Sequence, residues 1–219
     1  MEQFTRVEGV AAPLLRDNID TDLLIPSREM TTPGKEGYGE KLLASWRYLP
    51  SGEGGRLENP DFILNRAPFR HATFLLAGAN FGSGSSREQA AWALRQFGFR
   101  AVLAPSFGAI FQNNCYRNGL LPVVLPRATI ELLAEQAATG NLTLAVDLEQ
   151  QRVEAPGNRQ WPLQVPTSER VMMLAGLDAI GLTLCRQEQI RAFQQADQQL
   201  RPWIWLPPRS TEMTQGLVP

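Results

Sequence analysis

The sequence has 219 residues, 43% of them hydrophobic, which is enough for one globular core. Because 21 basic and 22 acidic side chains nearly cancel, it lacks the positive charge expected of a protein that binds nucleic acid or an anionic membrane. The N-terminus has no signal-peptide pattern, and proline breaks the apolar runs far short of the roughly 20 residues that span a bilayer. We therefore expect a cytoplasmic protein with no membrane or nucleic-acid partner.

The N-terminal third is predicted to begin with a strand and to continue into a long excursion. Residues 7–15 are typical of an opening strand, and residues 16–22 are dense in the turn formers Asp and Asn. Residues 31–70 are rich in Gly, Pro and charge, a composition more typical of a functional or interface loop than of a linker. We therefore predict a long excursion loop at about 31–70.

Strands and helices alternate regularly from residue 73 onward. The apolar run at 73–77 is typical of a strand buried on both faces, and apolar residues at helical spacing follow until Gly98. The next predicted elements are a strand at 101–104, a helix at 109–116 and a strand at 120–125. This order favours a parallel or mixed sheet, whose right-handed crossovers place strand ends and the following helix starts on one rim.

The C-terminal third is predicted to complete one domain that spans residues 1–200. Its predicted elements are a helix at 129–138, antiparallel strands at 142–148 and 152–155, a short strand at 163–165 and a closing helix at 188–200. Residues 201–219 combine proline, tryptophan and polar residues without periodicity, which predicts a flexible C-terminal tail.

The strongest chemical signal lies in residues 78–89, between the strand at 73–77 and the helix that follows. Gly82 and Gly84 allow a tight turn and a close approach of ligand to the backbone, because neither has a Cβ. The first amides of the helix have no helical partner and can bind an anion. Ser85 and Ser86 add hydroxyls, and Arg87 adds a planar cation suited to a carboxylate. The segment predicts a site for a small carboxylate.

Two other interpretations of this segment stay open from the residues alone. Ser85 with Glu88, or Ser86 with Gln89, has the spacing of a helix capping box, which explains one serine without any ligand. A nucleotide phosphate site is less well supported, since the segment lacks the third glycine of the dinucleotide fingerprint and the lysine of a P-loop.

Few residues suit a metal site or a histidine-dependent mechanism. Cys115 and Cys185 have neither CxxC spacing nor neighbouring histidines, so both are expected to be buried apolar residues in a reducing compartment. His71 is the only histidine, which leaves little for a serine triad or a histidine-rich metal site. No metal site made by this chain alone is predicted.

Several motifs occur in a specific order between about residues 5 and 195. They are Asn-Ile-Asp-Thr-Asp at 18–22, Ile-Pro at 25–26, Trp-Arg-Tyr-Leu at 46–49, Asn-Pro-Asp-Phe at 59–62, Asn-Phe-Gly-Ser-Gly-Ser-Ser-Arg-Glu at 80–88, Ala-Pro-Ser-Phe at 104–107, Leu-Leu-Pro-Val at 120–123 and Gly-Leu-Asp-Ala-Ile-Gly-Leu-Thr-Leu at 176–184. Together they resemble the small subunit of 3-isopropylmalate dehydratase, a family similar to the mobile C-terminal domain of aconitases.

The resemblance implies an α/β fold, a swivelling β/β/α domain with a mixed, mostly parallel sheet, flanking helices and the long excursion loop. It implies interconversion of 2-isopropylmalate and 3-isopropylmalate by dehydration and rehydration in leucine biosynthesis. In that family the reaction takes place in a cleft shared with a large subunit, here in a heterodimer or heterotetramer. The large subunit holds a [4Fe-4S] cluster whose open iron binds the substrate, and the two cysteines of this chain are too few to ligate one.

The resemblance also implies roles for individual residues. Ser85 would be the base that removes the proton alpha to a carboxylate, and Ser86 and Arg87 would hold a substrate carboxylate. A helix N-terminus and an arginine would make the serine alkoxide tenable. Asp22 would orient the serine or its neighbours, although an ordinary turn or cap residue is the alternative.

Further substrate contacts are expected from Gly84, where the backbone can approach a ligand, and from the apolar residues after the first turn. The family pocket admits an alkyl group, so Leu23, Leu24, Ile25 and Met30 are candidates to contact it. The excursion at 31–70 is expected to help form this pocket and to contact the partner.

The chain departs from the family pattern at three positions beside the proposed site. Ser83 stands where many relatives have Cys or Thr, Gln89 where they have His, and Ala91 where they have Pro. The missing histidine removes a titratable group. Two alternatives therefore remain: a paralogous aconitase-type hydro-lyase subunit for another 2-hydroxy di- or tricarboxylate, and a non-catalytic subunit that only binds an anion.

Overall fold

The computed structural model describes residues 1–30, 34–50, 55–84, 87–140 and 142–205. By its contacts the chain divides into two units, Met1–Ala179 and Ile180–Pro219. The first unit thus ends at Ala179, whereas the sequence analysis placed the end of the domain at residue 200. The domain limits given there stay a prediction. No helix in these described ranges is long and apolar enough to cross a bilayer.

The first unit is built on a seven-stranded mixed sheet. The strands of the chain are β1 (Arg6–Leu14), β2 (Tyr48–Leu49), β3 (Leu57–Glu58), β4 (Phe74–Ala77), β5 (Ala101–Ala104), β6 (Leu121–Val124), β7 (Thr143–Asp147), β8 (Arg152–Ala155) and β9 (Arg159–Pro162). The sheet order is β6-β5-β4-β1-β7-β8-β9, and β2 and β3 pair separately. Strands β6, β5, β4 and β1 are parallel neighbours, whereas β7, β8 and β9 follow as an antiparallel meander. The predicted mixed, mostly parallel sheet is confirmed.

Helices of the first unit cover both faces of this sheet. The helices of the first unit are α1 (Thr21–Leu24), α2 (Ala44–Arg47), α3 (Glu88–Phe97), α4 (Ala109–Arg117), α5 (Arg127–Ala137) and α6 (Thr167–Ala175); α7 (Ala179–Leu184) begins at the last residue of this unit, and α8 (Gln187–Leu200) belongs to the second unit. The helices predicted at 90–97, 109–116, 129–138 and 188–200 correspond to α3, α4, α5 and α8. Gly98 ends α3 with a φ of +123°, a conformation that favours glycine, as the sequence predicted.

Two apolar cores form because side chains alternate across the sheet. In β4, Phe74 and Leu76 belong to the core that includes Ile130 and Leu133 of α5. The intervening Leu75 and Ala77 belong to the core formed with α3, α4 and the excursion. All four residues of β4 are fully buried, which explains why this strand is a continuous apolar run.

The excursion at 31–70 is packed against the domain and has short regular elements of its own. It contains α2, the β2–β3 hairpin and three short 3-10 helices, while residues 31–33 and 51–54 lie outside the described part. Arg47 holds it together from a buried position, where it donates to Asn65 Oδ1 (3.1 Å) and to Gly39 O (3.0 Å). Burial lowers the pKa of Arg47 from its ordinary value, because the charged form is desolvated.

The strand predicted at 163–165 is wrong. The third strand of the meander is β9, which ends at Pro162. Leu163 and Val165 are apolar because they enter the first core after the strand has ended, with exposures of 2% and 9%. The apolar residues at 163 and 165 therefore indicate core packing and not strand pairing.

The second unit consists mainly of α8 and the turn that follows it. Asp197 accepts hydrogen bonds from Arg201 Nε (2.7 Å) and Trp205 Nε1 (3.0 Å), and these two donors lower the pKa of its carboxyl group. Residues 201–205 are thereby held against α8. The remainder of the predicted flexible tail, residues 206–219, lies outside the described residues.

Candidate functional site

The candidate site lies at the edge of the sheet where the four parallel strands end. Strands β1, β4, β5 and β6 end at Leu14, Ala77, Ala104 and Val124, so the loops that follow them meet on one rim. This is the rim that the βαβαβ order predicted. Ligand sites of parallel α/β sheets typically lie at this end.

The loops after β1 and β4 continue the parallel pairing of their strands. A parallel bridge joins Asp20 to Ser83. Its neighbouring backbone bonds are Asn18 N to Ala79 O (2.9 Å), Gly82 N to Ile19 O (2.7 Å) and Thr21 N to Ser83 O (3.0 Å). The Asn-Ile-Asp-Thr-Asp motif and the glycine-serine turn are thus fixed to each other through their backbones.

The loops after β5 and β6 support the glycine-serine turn from the other side. Ser106 accepts from Asn80 N at its hydroxyl (2.8 Å) and from Phe81 N at its carbonyl (3.0 Å). Asp17 accepts from Ala79 N (2.7 Å) and from Arg127 Nη2 (2.8 Å). The Arg127 hydrogen bond and, after it, the Ala79 amide lower the pKa of the Asp17 carboxyl group.

The two glycines of the turn are needed for different reasons. Gly82 has a φ of +72°, and a Cβ there would overlap the ring of Phe111. Gly84 has a φ of +90°, but the atom nearest to its Cβ position is the Asp20 Cβ at 3.4 Å, an ordinary contact. Gly82 is therefore required by packing and backbone conformation, whereas Gly84 is required by conformation and leaves space above the backbone.

Arg87 is the predicted site residue whose surroundings are best defined. Its Nη1 forms an ion pair with the Asp22 carboxylate and donates to Ile25 O (3.2 Å). Asp22 also accepts from Ser27 Oγ (3.4 Å). Within the described part of the chain, the Nε and Nη2 groups of Arg87 form no hydrogen bond. The Nη1 side of the guanidinium is thus held by the Asp22 carboxylate and the Ile25 carbonyl.

Ser85 and Ser86 lie outside the described residues. The residues that follow them at the start of α3 are described, and they test the interpretation of the segment as a capping box. Helix α3 begins at Glu88, and the residue at its N-cap is Arg87, whose side chain makes no capping hydrogen bond. Glu88 is thus the first helical residue, and its carboxylate accepts instead from Asn118 Nδ2 (2.9 Å). A capping box would need Glu88 at the third helical position, so this geometry does not fit one.

The four residues predicted to contact the alkyl group of the substrate differ in how deeply they are buried. Leu24 and Ile25 are completely buried in the second core, so their side chains present no accessible surface to a ligand. Ile25 contributes its carbonyl group to the site by accepting from Arg87. Leu23 and Met30 are half-buried and retain accessible surface.

The departures from the family pattern lie in three different environments. Ser83 is half-buried and contributes its backbone carbonyl to the loop pairing. Ala91 is fully buried in α3, while Gln89 is half-buried in the first turn of that helix.

The residues suited to metal or redox chemistry differ in their surroundings. Cys115 is fully buried, which raises the pKa of its thiol well above the ordinary value, and Cys185 is exposed in the second unit. The prediction that both cysteines are buried is therefore wrong for Cys185. His71 is exposed before the start of β4, at the opposite edge of the sheet. Among the described residues, no three His, Cys, Asp or Glu side chains are grouped so that they could hold a metal ion.

Sequence reasoning missed two supporting residues of the site. Ser106 and Arg127 received no individual role, although each directly follows a strand that was predicted correctly. Their positions after strands of the same parallel sheet were the available signal, because such positions share one rim.

Comparisons with known proteins agree with the motifs. A family model described as the aconitase C-terminal domain matches residues 1–128. The 3-isopropylmalate dehydratase small subunit of Cupriavidus necator is 53% identical over 206 residues, covering 93% of this chain and 98% of that protein. Its counterpart from Rhodospirillum rubrum is 47% identical over 205 residues, covering 93% of this chain and 97% of that protein.

A solved structure shares the fold. The crystal structure of 3-isopropylmalate dehydratase from Methanocaldococcus jannaschii superposes with a TM-score of 0.60 at 23% identity, covering 87% of this chain and 99% of that chain. The fold and the identities to the curated relatives lead to the same assignment. This chain belongs to the family of 3-isopropylmalate dehydratase small subunits.

Proposed function

We propose that the chain is the small subunit of a cytoplasmic 3-isopropylmalate dehydratase, a hydro-lyase that interconverts 2-isopropylmalate and 3-isopropylmalate in leucine biosynthesis. The observation that supports it most is the placement of Arg87. This arginine stands at the start of α3, directly after Ser85 and Ser86, with one edge held by Asp22 and the Ile25 carbonyl.

Arg87 is proposed to bind one carboxylate of the substrate through its Nε and Nη2 groups. Two parallel hydrogen bonds from a guanidinium fix both the position and the plane of a carboxylate. The N-terminal end of α3 adds a partial positive charge, and Ser86 adds a hydroxyl donor. Asp22 is then a positioning residue, because it holds the opposite edge of the guanidinium and does not itself meet the anion.

Ser85 is proposed to be the base that removes the proton alpha to a carboxylate. A serine hydroxyl is a weak acid, so its alkoxide needs fixed positive potential in a site with little water. The helix N-terminus and Arg87 supply that potential next to it in the chain. Gly84, without a Cβ and with a positive φ, lets the backbone approach the reacting carbon closely.

The chain is proposed to provide one half of the active site, with a large iron–sulfur subunit providing the other in a heterodimer or heterotetramer. The described residues offer no ligand set that fits a [4Fe-4S] cluster, since Cys115 is buried with a raised pKa and Cys185 belongs to the second unit. In the proposed complex, the partner's cluster supplies Lewis-acid chemistry at the substrate hydroxyl. The half-exposed Asp22 and the exposed Gly84 leave the rim open on the side where a partner would close it.

Reconstitution with the large subunit from the same genome tests the proposal. Turnover of isopropylmalate is followed by absorbance of the unsaturated diacid, for wild type, for Ser85→Ala and for the control Ser168→Ala, which changes an exposed serine of α6. We expect Ser85→Ala to lose about 10²- to 10⁴-fold in kcat, with the control unchanged. Wild-type rates in Ser85→Ala would refute the assignment of the base.

A panel of related 2-hydroxy di- and tricarboxylates tests the substrate separately. Turnover of one of these without turnover of isopropylmalate would favour a paralogous hydro-lyase and would connect it with Gln89. A complex that binds these acids without converting any of them would indicate an anion-binding subunit.

A further inference from the structure

An open groove of about 490 Å³ lies beside the rim, between the end of β1 and the excursion. Trp46 and Phe62 are half-buried there, and Leu49 remains 41% exposed. Aromatic rings next to exposed apolar side chains are typical of the centre of a protein–protein interface. The groove is lined mainly by apolar and aromatic side chains with one cation, namely Leu14, Arg16, Trp46, Tyr48, Leu49 and Phe62.

Two sequence motifs, Trp-Arg-Tyr-Leu at 46–49 and Asn-Pro-Asp-Phe at 59–62, form the walls of this groove. Asn59 joins them, because its Nδ2 donates to the carbonyl of Trp46 (3.1 Å). The rings of Trp46 and Phe62 meet with their centroids 6.0 Å apart. The groove is therefore held in shape by the chain itself, which lowers the entropy that a partner must remove when it binds.

Arg16 gives the groove its charge. Its guanidinium lies 4.7 Å from the centroid of the Trp46 ring, in a cation–π contact. In the part of the chain that the structure describes, no carboxylate lies within ion-pairing distance of Arg16, whereas Arg87 and Arg127 of the same rim both pair with aspartates. A cation fixed on an aromatic ring at the edge of an apolar groove is complementary to an acidic side chain with apolar neighbours.

The groove adjoins the proposed half of the active site. Arg16 follows the end of β1 by two residues, and the next residue, Asp17, supports the glycine-serine turn by accepting from Ala79 N (2.7 Å). The backbone of Arg16 also packs on Gly78, since a Cβ on that glycine would come within 2.4 Å of the Arg16 carbonyl. A protein that closes the rim over the half-site therefore comes within reach of the groove.

We propose that this groove is a docking surface for the large subunit. The large subunit seats an apolar side chain against Trp46 and Leu49 and pairs a neighbouring carboxylate with Arg16. The inference rests on the proposed function, which supplies the identity of the partner. A second copy of this chain is not complementary, because an isologous contact would bring two Arg16 cations together without a carboxylate from either groove.

The test measures the Kd between the full chain and the large subunit for wild type, Leu49→Asp and Arg16→Gln. The matched controls are Val171→Asp, at a 48% exposed residue of α6, and Arg117→Gln, at the exposed end of α4. We expect each groove variant to raise Kd at least about tenfold and each control to stay within about twofold of wild type. At saturating large subunit, kcat should stay within about twofold, because the groove lies beside the half-site and does not hold the substrate.

Salt dependence separates the ion pair from the apolar contact. Raising NaCl from about 0.1 M to about 0.5 M should weaken the binding of wild type more than that of Arg16→Gln, which lacks the charge. Oxidative footprinting reports on the wild-type chain without any substitution. The Trp46 side chain should lose reactivity when the large subunit is added.

Unchanged reactivity of Trp46, or wild-type Kd values in both groove variants, would overturn the proposal. Equal weakening by the groove variants and the controls would do so too. Groove variants that change the self-association of the isolated chain while binding the large subunit normally would show that the groove joins two copies instead. A wild-type complex that forms but turns over no hydroxy acid would contradict the proposed function alone, because the Kd values would still decide the role of the groove.

Discussion

Replacing Gly82 with alanine should destabilise the chain more than the same replacement at Gly84, two residues later in the same turn. Both glycines have positive φ angles, +72° and +90°. An alanine forced into that region costs about 1–2 kcal/mol at either position. Both variants carry this backbone cost, and the more positive φ of Gly84 favours the larger cost there, so a greater loss in Gly82→Ala reports packing.

The packing cost arises only at Gly82. A Cβ there would overlap Phe111 and would come within 2.8 Å of the Phe111 Cβ. Phe111 is fully buried and packs edge to face on Phe81 with ring centroids 5.6 Å apart, so the ring has little room to move. Overpacking of this kind costs about 1–3 kcal/mol. We therefore expect a loss of about 2–5 kcal/mol for Gly82→Ala and about 1–2 kcal/mol for Gly84→Ala.

Equilibrium urea unfolding of the isolated chain, followed by both circular dichroism and tryptophan fluorescence, measures the two free energies of unfolding. Equal losses in the two variants, or a larger loss for Gly84→Ala, would show that the contact between Gly82 and Phe111 is not tight and would refute the packing argument. The activity of the reconstituted complex should not follow the order of stability of Gly82→Ala and Gly84→Ala. Gly84→Ala should retain most of its stability yet lose turnover, because its new methyl group occupies space proposed for the substrate.

Two further predictions concern the carboxylates of the rim. Asp22→Asn should change the free energy of unfolding by less than about 1 kcal/mol, because the ion pair with Arg87 is half-exposed. The same variant should lower kcat/KM of the complex about 10- to 100-fold, because the Arg87 guanidinium is released. Unchanged kinetics would contradict the positioning role of Asp22. Asp17 has a lowered pKa when folded, so its contribution to stability should be present above about pH 4, the ordinary range of an unfolded aspartate, and should be lost as pH falls below it. Unfolding of wild type and Asp17→Asn between pH 6 and pH 3 checks this, and a stability gap that widens toward pH 3 would have the wrong sign.

The parts of the fold that the sequence predicted are those in which local pattern and burial agree. Strands β5 and β8 begin and end at the predicted residues. The apolar run of β5 is buried on both faces, whereas β8 alternates polar and apolar residues and buries the apolar ones, Val153 and Ala155. Helix α6 was missed, although Pro166 at its N-cap and Gly176 with a φ of +68° at its C-cap were visible signals. Its apolar spacing is weaker, because only Met173 is fully buried.

The excursion and the details of the site could not be predicted in the same way. The 3-10 helices and the hairpin of the excursion depend on Arg47, whose buried hydrogen bonds join residues distant in sequence. Nothing in the local pattern reports such bonds. The pairing of Asp22 with Arg87 has the same origin: the sequence predicted both residues at the site, but the loop bridge between Asp20 and Ser83 decides which groups meet.

The arrangement of charge at the rim accounts for the expected dependence on a partner. Of the rim arginines in the described residues that form ion pairs, Arg87 pairs with Asp22, and Arg127 pairs with both Asp17 and Glu131, so neither group presents a net positive charge to a ligand. A dicarboxylate binding through the outer edge of Arg87 therefore gains directional hydrogen bonds and the partial charge of α3, but little net Coulomb attraction. Half-exposed pairs are also screened by solvent, which weakens them further. Tight binding of a dianion thus requires positive charge and exclusion of water from a second protein surface, which is what the proposed large subunit would add over the open side of the rim.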